Sequence, residues 1–369
     1  LCFLIVKREY SLLLLKSQVR YFVVFYGKFR YNKRNTQTQG DFFMNQIKSI
    51  RKLCFIPLLF LLLFSLSGCA SSAEPLQMNG MYFDTIITIR IWDTSDRSVL
   101  EECEKLCQKY ENLFSRTIDT SDVSRINQAN GQPVTVDQET ADLIKTALHY
   151  GDLSDGKFDI TIAPLSELWN FGHNDGQIPD AASIEEARSH VNYKNVKVDG
   201  TTVQLLDPKA AIDLGAIAKG YIADQLKEYL ESAGIKHGLI SLGGNTVAIG
   251  EKPDGSPFKI GVQKPFAEQN DILTSLDIRN QSVVSSGTYE RYFEIEGKIY
   301  HHILNPFTGY PYETRLQQVT IISDASVDGD ALSTTCFALG LENGSKLIKS
   351  LDGIEAIFVT DDGNIHRVG

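Results

Sequence analysis

The chain has 369 residues, of which 43% are hydrophobic and 22% are charged, a composition typical of a globular protein. Its net charge of −10 is unevenly distributed, because residues 1–68 hold 11 basic and 2 acidic side chains and the remainder therefore holds 25 and 44, a net of −19. So acidic a region argues against binding DNA or RNA through phosphates. An anionic nucleotide could bind it only with help from a cation or a local basic side chain.

Residues 44–68 have the pattern of a secretory signal peptide. A basic segment at residues 44–52 precedes an apolar run of about 14 residues from Leu53 to Leu66, which is short for a membrane span. The run ends in Leu-Ser-Gly-Cys, which resembles a bacterial lipobox and implies cleavage before Cys69 and a lipid on its thiol. The alternative is an ordinary signal followed by a chance cysteine.

The rest of the domain organisation follows from this signal. A signal peptide normally stands at the N-terminus, so we expect residues 1–43 to be an over-extended reading upstream of Met44; an extra membrane segment is the alternative. Residues 69–79 are expected to be a lipidated tether, and residues 80–369 one folded domain. This organisation predicts a lipid-anchored protein on the extracytoplasmic face of the cell membrane.

Strands and helices alternate irregularly through the exported region. Strands are predicted at residues 85–92, 239–245, 258–262, 272–278, 282–286, 292–295, 298–303 and 319–323, with hairpins at 196–206 and around 361–363. Helices are predicted at residues 98–114, 137–150, about 211–234, 326–340 and about 342–351. Because βαβ units do not repeat, the pattern predicts an α+β fold of mixed sheets with flanking helices. The dinucleotide-binding, Walker and Gly-x-Ser-x-Gly motifs are all missing from the sequence.

The cysteines do not form a disulfide framework. Cys103 and Cys107 lie four residues apart on a predicted helix, where two sulfurs rarely bridge well, and Cys336 lies in an apolar helix pattern. The spacing also does not match a zinc site.

An acidic turn between a strand and a helix is the first candidate for chemistry. Asp330 and Thr334 are four residues apart, so both lie on one helical face. A carboxylate and a hydroxyl are hard oxygen donors of the kind that Mg²⁺ accepts alongside water and substrate phosphates. The alternative is that Asp328 or Asp330 caps the helix by accepting its first N–H groups.

A second candidate is the start of the helix that follows Ala211. Its glycine-containing first turn would expose backbone N–H groups that favour an anion, and Lys219 adds a positive charge there. A plain turn with a solvated lysine is the alternative.

Eight stretches in order resemble one family, the bacterial FAD:protein FMN transferases of the ApbE type. They are Phe83-Asp84-Thr85, residues 114–115 with 121–127, residues 156–165 with Trp169 and Gly172, residues 213–221, Gly243-Gly244-Asn245, residues 286–291, residues 302–306 with 308–309, and residues 330–334. Together they span roughly residues 80–360. The resemblance implies an exported, membrane-anchored enzyme that splits FAD, attaches FMN to a threonine of a target protein through a phosphoester and releases AMP. It further implies that the targets are subunits of membrane electron-transfer complexes.

The same resemblance implies roles for individual residues. Asp330, Thr334 and the backbone carbonyl of Ala216 would bind Mg²⁺, and His302 would be the general base unless it is a structural histidine. The positions implied to contact FAD are Phe83, Thr117, Lys157, Phe158, Asp159, Asp213, Lys219 and Leu304. The family often has Met in place of Phe83 and Tyr in place of Thr117. The rival hypotheses are a Mg²⁺-dependent FAD pyrophosphatase that uses water, a lipoprotein that only binds flavin, and a solute-binding lipoprotein.

Overall fold

The structure, a computed structural model, describes residues 74–172, 176–268 and 271–369. The predicted signal peptide and Cys69 therefore lie outside the described residues. The helices are α1 (Ser98–Phe114), α2 (Asp122–Gln128), α3 (Gln138–Leu153), α4 (Ala163–Trp169), α5 (Ala181–Ser189), α6 (Ala218–Ser232) and α7 (Ser326–Lys349). The strands are β1 (Leu76–Tyr82), β2 (Thr85–Ile91), β3 (Val134–Thr135), β4 (Val196–Asp199), β5 (Thr202–Leu205), β6 (His237–Leu242), β7 (Asn245–Gly250), β8 (Phe258–Gln263), β9 (Ile272–Ile278), β10 (Ser282–Gly287), β11 (Tyr292–Ile295), β12 (Lys298–His301), β13 (Leu316–Ser323), β14 (Glu355–Thr360) and β15 (Ile365–Val368).

One eight-stranded sheet organises the fold, in the order β1-β2-β6-β7-β10-β13-β14-β15. Every neighbouring pair in it is antiparallel. Three smaller sheets accompany it, namely β3-β5-β4, β8-β9 and β11-β12. The predicted α+β class is confirmed, although the large sheet is antiparallel rather than mixed: β1-β2, β6-β7 and β14-β15 are hairpins, and the longer connections also return each strand antiparallel to its neighbour.

The two faces of the sheet are covered differently. On one face, alternate residues of β2 such as Ile87 and Ile89 are fully buried in the core that includes the helices, as the two-residue period of a strand requires. On the other face, Phe258 and Ile278 of the β8–β9 hairpin form a second core with residues of β7, β10, β13 and β14. The edge strand β1 and its neighbour β2 contribute no residue to this second core.

Most predicted elements are present, and the predicted helix stop at Gly340 is confirmed. Gly340 has φ 77° and ψ 173°, which breaks α7 into two helical segments. β1, by contrast, is an element that the sequence did not predict. It begins at Leu76, which pairs with Ile91, so the last residues of the expected tether lie in the sheet.

Three turns or strand ends meet at one end of the large sheet. They are the β1–β2 turn, the β6–β7 turn at Gly243-Gly244, and the end of β10 at Gly287. The register brings them together, because Ile87 pairs with Leu242, which pairs with Asn245, which pairs with Val284. We call this the site end of the sheet. No helix in the described part of the chain is long and apolar enough to cross a membrane.

Candidate active site

The first turns of α6 and α7 cross in direct contact. Gly220 in α6 donates its backbone N–H to Oδ2 of Asp330 in α7, at 2.9 Å. A β-carbon on Gly220 would lie 2.3 Å from the carbonyl oxygen of Ser326 and 2.7 Å from Cα of Val327. Only glycine therefore allows the two helices to approach this closely, and their approach fixes the position of the Asp330 carboxylate.

A second residue of α6 caps the start of α7. The carboxylate of Asp224 accepts the backbone N–H groups of Ser326 and Val327, each at 2.8 Å. Burial raises the pKa of Asp224 to about 6, while these two hydrogen bonds act in the opposite direction. Asp328, the capping candidate of the sequence, instead accepts a hydrogen bond from the Tyr150 hydroxyl at 2.7 Å. The prediction for Asp328 was wrong because the cap comes from another helix.

A carbonyl oxygen beside this contact is also free. Gly220 is the third residue of α6, so its N–H has no acceptor within its own helix and takes Asp330 of α7 instead. The Ala216 carbonyl, which precedes α6, receives no hydrogen bond from the described residues. The carboxylate of Asp330 and the free carbonyl of Ala216 therefore both lie next to the start of α6.

Thr334 lies one helical turn beyond Asp330 and is half-buried. Its Oγ1 is 3.4 Å from Oγ of Ser286, at the end of β10. Ser333 is more deeply placed, since its hydroxyl lies 2.8 Å from Ser286 Oγ and donates to the Asp330 carbonyl at 2.9 Å. Thr334 therefore remains the more accessible hydroxyl of the pair.

Asp330, Thr334 and the Ala216 carbonyl could supply only some of the six ligands of a magnesium ion. No cluster of three or more His, Cys, Asp or Glu side chains suited to a metal occurs among the described residues. An all-protein cage is therefore not formed here. Mg²⁺ in nucleotide enzymes typically uses one or two carboxylates and takes its remaining ligands from water and substrate phosphates. Asp330, Thr334 and the Ala216 carbonyl match that sparse donor set.

Lys219 brings positive charge to the same turn. Its Nζ donates to the Gly215 carbonyl at 2.9 Å and lies 3.7 Å from Oδ1 of Asp330. The side chain is half-buried. Because the N-terminus of α6 also favours negative charge, this turn combines a helix dipole with an ammonium group.

His302 has one deeply buried ring nitrogen. Its Nδ1 is inaccessible and has no hydrogen-bond partner within the described residues. Its backbone N–H donates to the Arg291 carbonyl at 3.1 Å. Burial, with smaller contributions from the nearby charges of His301, Arg291 and Lys219, lowers the pKa of His302 to about 3. The ring is therefore neutral at pH 7, with a nitrogen lone pair or N–H left unused.

Glu290 is a carboxylate that the sequence did not single out. Its side chain is exposed, yet its pKa is raised to about 7, mainly by lost hydration, an effect that Lys219 opposes and Asp330 adds to. A β-carbon on Gly244 would lie 3.7 Å from Oε1 of Glu290. An accessible but poorly hydrated carboxylate is what the wall of a cleft produces, so Glu290 lines the site beside the glycine turn.

Asp213 is held by its neighbours before α6 begins. Its Oδ1 accepts the N–H of Gly215 at 2.8 Å, and its Oδ2 pairs with Nε of Arg116 at 3.1 Å. Arg116 also reaches Glu167 at 3.3 Å. Arg116 could not be identified from the sequence, because its partners lie 51 and 97 residues away.

Phe83 and Thr117 lie near the surface. Phe83 is the first residue of the two-residue β1–β2 turn, has φ 55°, and donates its N–H to Glu111 at 3.0 Å. A bulky side chain in the left-handed region is uncommon and often marks a functional site. Thr117 is exposed, and its hydroxyl lies 3.0 Å from that of Ser115.

The run from Lys157 to Asp159 mainly supports other parts of the structure. Phe158 is buried in the core at 3% exposure, and so is Leu304 at 6%. Both oxygens of Asp159 accept internal hydrogen bonds, from Thr161 at 2.7 Å and from Tyr193 at 2.9 Å. Lys157 differs from Asp159, because its Nζ makes no hydrogen bond within the described residues. It lies 5.9 Å from the ring centres of Phe307 and Tyr312.

The geometry thus brings one group of predicted residues together and leaves another apart. Lys219 in the first turn of α6, Ala216 just before it, and Asp330 and Thr334 in the first three turns of α7 lie where the two helices meet, and Lys219 is close enough to His302 to influence its pKa. Phe158, Asp159 and Leu304 form supporting structure. Asp224 was missed because nothing in the sequence shows that two helices about 100 residues apart cross at their first turns.

Comparison with known proteins identifies the family. Residues 83–358 match the model of the ApbE family. The chain belongs to the ApbE family. This confirms the resemblance carried by the eight stretches.

Several characterised relatives and solved structures agree with this membership. The chain is 42% identical over 273 residues to an FAD:protein FMN transferase of Klebsiella pneumoniae, covering 73% of this chain and 84% of the relative. It is 34% identical over 284 residues to one of Treponema pallidum, covering 73% and 78%. Among solved structures, the ApbE protein of Thermotoga maritima superposes with a TM-score of 0.73 at 33% identity, covering 80% of this chain and 97% of that one.

Proposed function

We propose that this chain is an FAD:protein FMN transferase that splits FAD, attaches FMN to a threonine hydroxyl of a target protein and releases AMP. The observation that carries the proposal is the 42% identity, over most of both chains, to a relative of that name. The site supports it, because its oxygen donors, cation and unpartnered histidine suit chemistry at a pyrophosphate.

Lys219 and the start of α6 are proposed to receive the pyrophosphate of FAD. An acidic domain repels a dianion, so binding requires local positive charge. The N–H groups of a helix N-terminus and an ammonium within the first turn provide it. Lys219 would exchange part of its interaction with Asp330, 3.7 Å away, for the phosphate oxygens.

Asp330, Thr334 and the Ala216 carbonyl are proposed to hold Mg²⁺. When bound, Mg²⁺ neutralises charge on phosphate oxygens that become more negative as the pyrophosphate breaks. Gly220 and Asp224 keep the protein donors in place, since they hold the two helices together through three hydrogen bonds from backbone N–H groups to side-chain carboxylates.

His302 is proposed to accept the proton of the threonine hydroxyl. The new bond joins the threonine oxygen to the phosphorus of the FMN half, and the bond to the bridging oxygen breaks, so that AMP leaves with that oxygen. A base with a pKa of about 3 is weak, but the positive groups around His302 would be offset by a bound pyrophosphate. Negative charge nearby raises the pKa of an imidazole toward the range suited to proton transfer.

The remaining predicted positions are proposed to shape the flavin and adenine sites. Phe83 and Thr117 lie at the surface where a planar ring could contact them, and Asp213 holds the approach to α6 through Gly215. The buried members, Phe158, Asp159 and Leu304, would fix the position of Lys157 and the loops above them. Their contribution is to the shape of the site rather than to direct polar contact.

The acceptor is proposed to be a membrane protein, a subunit of an electron-transfer complex. The lipobox-like sequence at Cys69 supports a lipid anchor on the extracytoplasmic face, which would keep the enzyme beside such a target. No nucleic-acid partner is proposed for a region with a net charge of −19.

The proposal is tested by following FAD cleavage. The purified protein is incubated with FAD and either Mg²⁺ or EDTA, with and without a threonine-containing acceptor. We expect AMP to form only with Mg²⁺, in equal amount to flavin that becomes covalently bound. AMP together with free FMN, and no bound flavin, would instead identify an FAD pyrophosphatase. No cleavage under any condition would contradict both activities.

A further inference from the structure

We propose that an apolar rim at the site end of the sheet is the docking surface for the acceptor protein. The rim consists of Met81, Ile86, Phe266, Tyr289 and Tyr292. Its occupant is a segment of the acceptor that carries apolar side chains beside the hydroxyl that receives FMN. This inference rests on the proposed transferase function and adds to it the location and chemistry of the contact with the second substrate.

The first half of the rim lies on the edge hairpin of the sheet. Met81 and Ile86 are cross-strand partners next to the β1–β2 turn, and they are 70% and 65% exposed. They lie on the face opposite to the helices, because the neighbouring Ile87 is fully buried on the helical face. Neither belongs to the core beneath the β8–β9 hairpin, so both side chains remain open to solvent.

The second half of the rim is an aromatic cluster on the other side of the glycine turn. Phe266 lies between β8 and β9, and its ring packs edge-on against Tyr292 at 5.2 Å and Tyr289 at 6.1 Å. Phe266 and Tyr292 are 38% and 44% exposed. Phe266 has φ 57°, a conformation that costs about 1 kcal/mol or more for a bulky residue. The backbone of Phe266 is therefore strained at the position where its ring is exposed to solvent.

Both halves border the glycine turn at the site end of the sheet. A β-carbon on Gly243 would lie 2.6 Å from Oγ1 of Thr85, which precedes Ile86 and points to the opposite face of the hairpin, and one on Gly244 would lie 3.7 Å from Oε1 of Glu290, next to Tyr289. The segment that carries Tyr289 also links the two chemical halves of the site. It begins at Ser286, beside Thr334, and ends at Arg291, whose carbonyl accepts the N–H of His302.

The position of the rim identifies its occupant. Under the proposed function, a protein hydroxyl has to come to the phosphate near His302, so the surface bordering this site faces the acceptor. Single exposed apolar residues are ordinary, but grouped aromatic and aliphatic side chains at a functional edge are typical of protein–protein contacts. Apolar contact also avoids the charge repulsion that an acidic domain would impose on many partners.

The test compares variants of the rim with a variant of the far edge. Phe266→Ser with Tyr292→Ser removes one half of the rim, and Met81→Ser with Ile86→Ser removes the other. Ile365→Ser is the matched control, because Ile365 is 42% exposed on β15, at the opposite edge of the same sheet. The probe is the best-labelled member of a library of synthetic peptides that each contain one threonine between randomised residues. The initial rate of covalent flavin attachment is measured against peptide concentration.

We expect each rim variant to raise the KM for the peptide by about tenfold, the effect of losing one or two interface contacts. The kcat at saturating peptide, the Kd for FAD and the melting temperature should match those of the unmodified protein, which shows that the site and fold are intact. An unchanged KM, or an equal increase in Ile365→Ser, would overturn the docking proposal while leaving the transferase proposal in place. AMP release without any labelled peptide would overturn both.

Discussion

Gly220 donates its backbone N–H to the side chain of Asp330, 2.9 Å away, although the two residues are 110 positions apart in the sequence. This bond sets the geometry of the candidate site. It holds a carboxylate of α7 over the first turn of α6, the turn that contains Lys219. The Ala216 carbonyl, which receives no hydrogen bond from the described residues, lies just before the same turn.

Replacing Asp330 should remove magnesium binding. Asp330→Ala deletes the one carboxylate of the proposed donor set, so we expect the affinity for Mg²⁺ to fall about 100-fold or more. Calorimetric titration with MgCl₂ in the presence of a non-cleavable dinucleotide measures this directly. Asp328→Ala is the matched control, because Asp328 is two residues away and bonds to Tyr150 instead. Equal affinities in the two variants would remove Asp330 from the proposed metal site.

Asp224 should stabilise the fold and position Asp330 at the same time. Asp224→Ala leaves two backbone N–H groups of α7 without their acceptor, at an expected cost of about 2 kcal/mol in the free energy of unfolding. Urea denaturation measures the loss. Glu228→Ala is the control, since Glu228 is exposed on the same helix and makes no hydrogen bond in the described structure. A loss of stability no larger than in the control would contradict the capping role.

His302 should make stability depend on pH. Its pKa is about 3 in the fold and 6.5 when unperturbed, so the unfolded chain binds the proton more readily. Its contribution to stability is thus fully present above pH 6.5 and is lost as the pH falls toward 3. His302→Gln cannot titrate, so the unmodified protein should lose stability relative to this variant between pH 7 and pH 4. Urea denaturation at several pH values checks this, and a constant difference would show that His302 is not buried as a neutral ring.

Cys69 should determine where the protein is found. If the lipobox is used, the unmodified protein incorporates radiolabelled fatty acid and sediments with membranes. Cys69→Ser should abolish the labelling and release the protein to the soluble fraction. Cys103→Ser is the control, because Cys103 is a free, buried thiol of the core. Unchanged membrane association in Cys69→Ser would contradict the lipid anchor.

The sequence predicted local features well and long-range contacts poorly. The helix of α1 and its buried stripe could be predicted because apolar residues recur at helical spacing, and the end of a helix at Gly340 because only glycine adopts its φ of 77° easily. Asp330 and Thr334 were identified from their four-residue spacing. The roles of Asp224 and Glu290 were not predicted, because the capping of α7 by Asp224 and the surroundings of Glu290 depend on how elements distant in sequence pack together.

Some site predictions concerned residues whose side chains have structural partners. The resemblance to the family implied that Asp159 contacts FAD, but both of its oxygens accept hydrogen bonds from the backbone N–H groups of Thr161 and Tyr193. A sequence shows which residues can bind a ligand, whereas the hydrogen bonds of the fold decide which of them are free to do so. His302 is one of the free residues, since its Nδ1 has no hydrogen-bond partner among the described residues.

The central claim is that FMN is transferred covalently to a protein hydroxyl. The most direct measurement is mass spectrometry of a threonine-containing peptide acceptor after incubation with the purified protein, FAD and Mg²⁺, with AMP quantified in the same reaction. The account predicts that the peptide gains the mass of FMN less one water, that one AMP appears for each labelled peptide, and that the same peptide with valine in place of threonine stays unlabelled. FMN and AMP released in equal amounts with no change in peptide mass would contradict it.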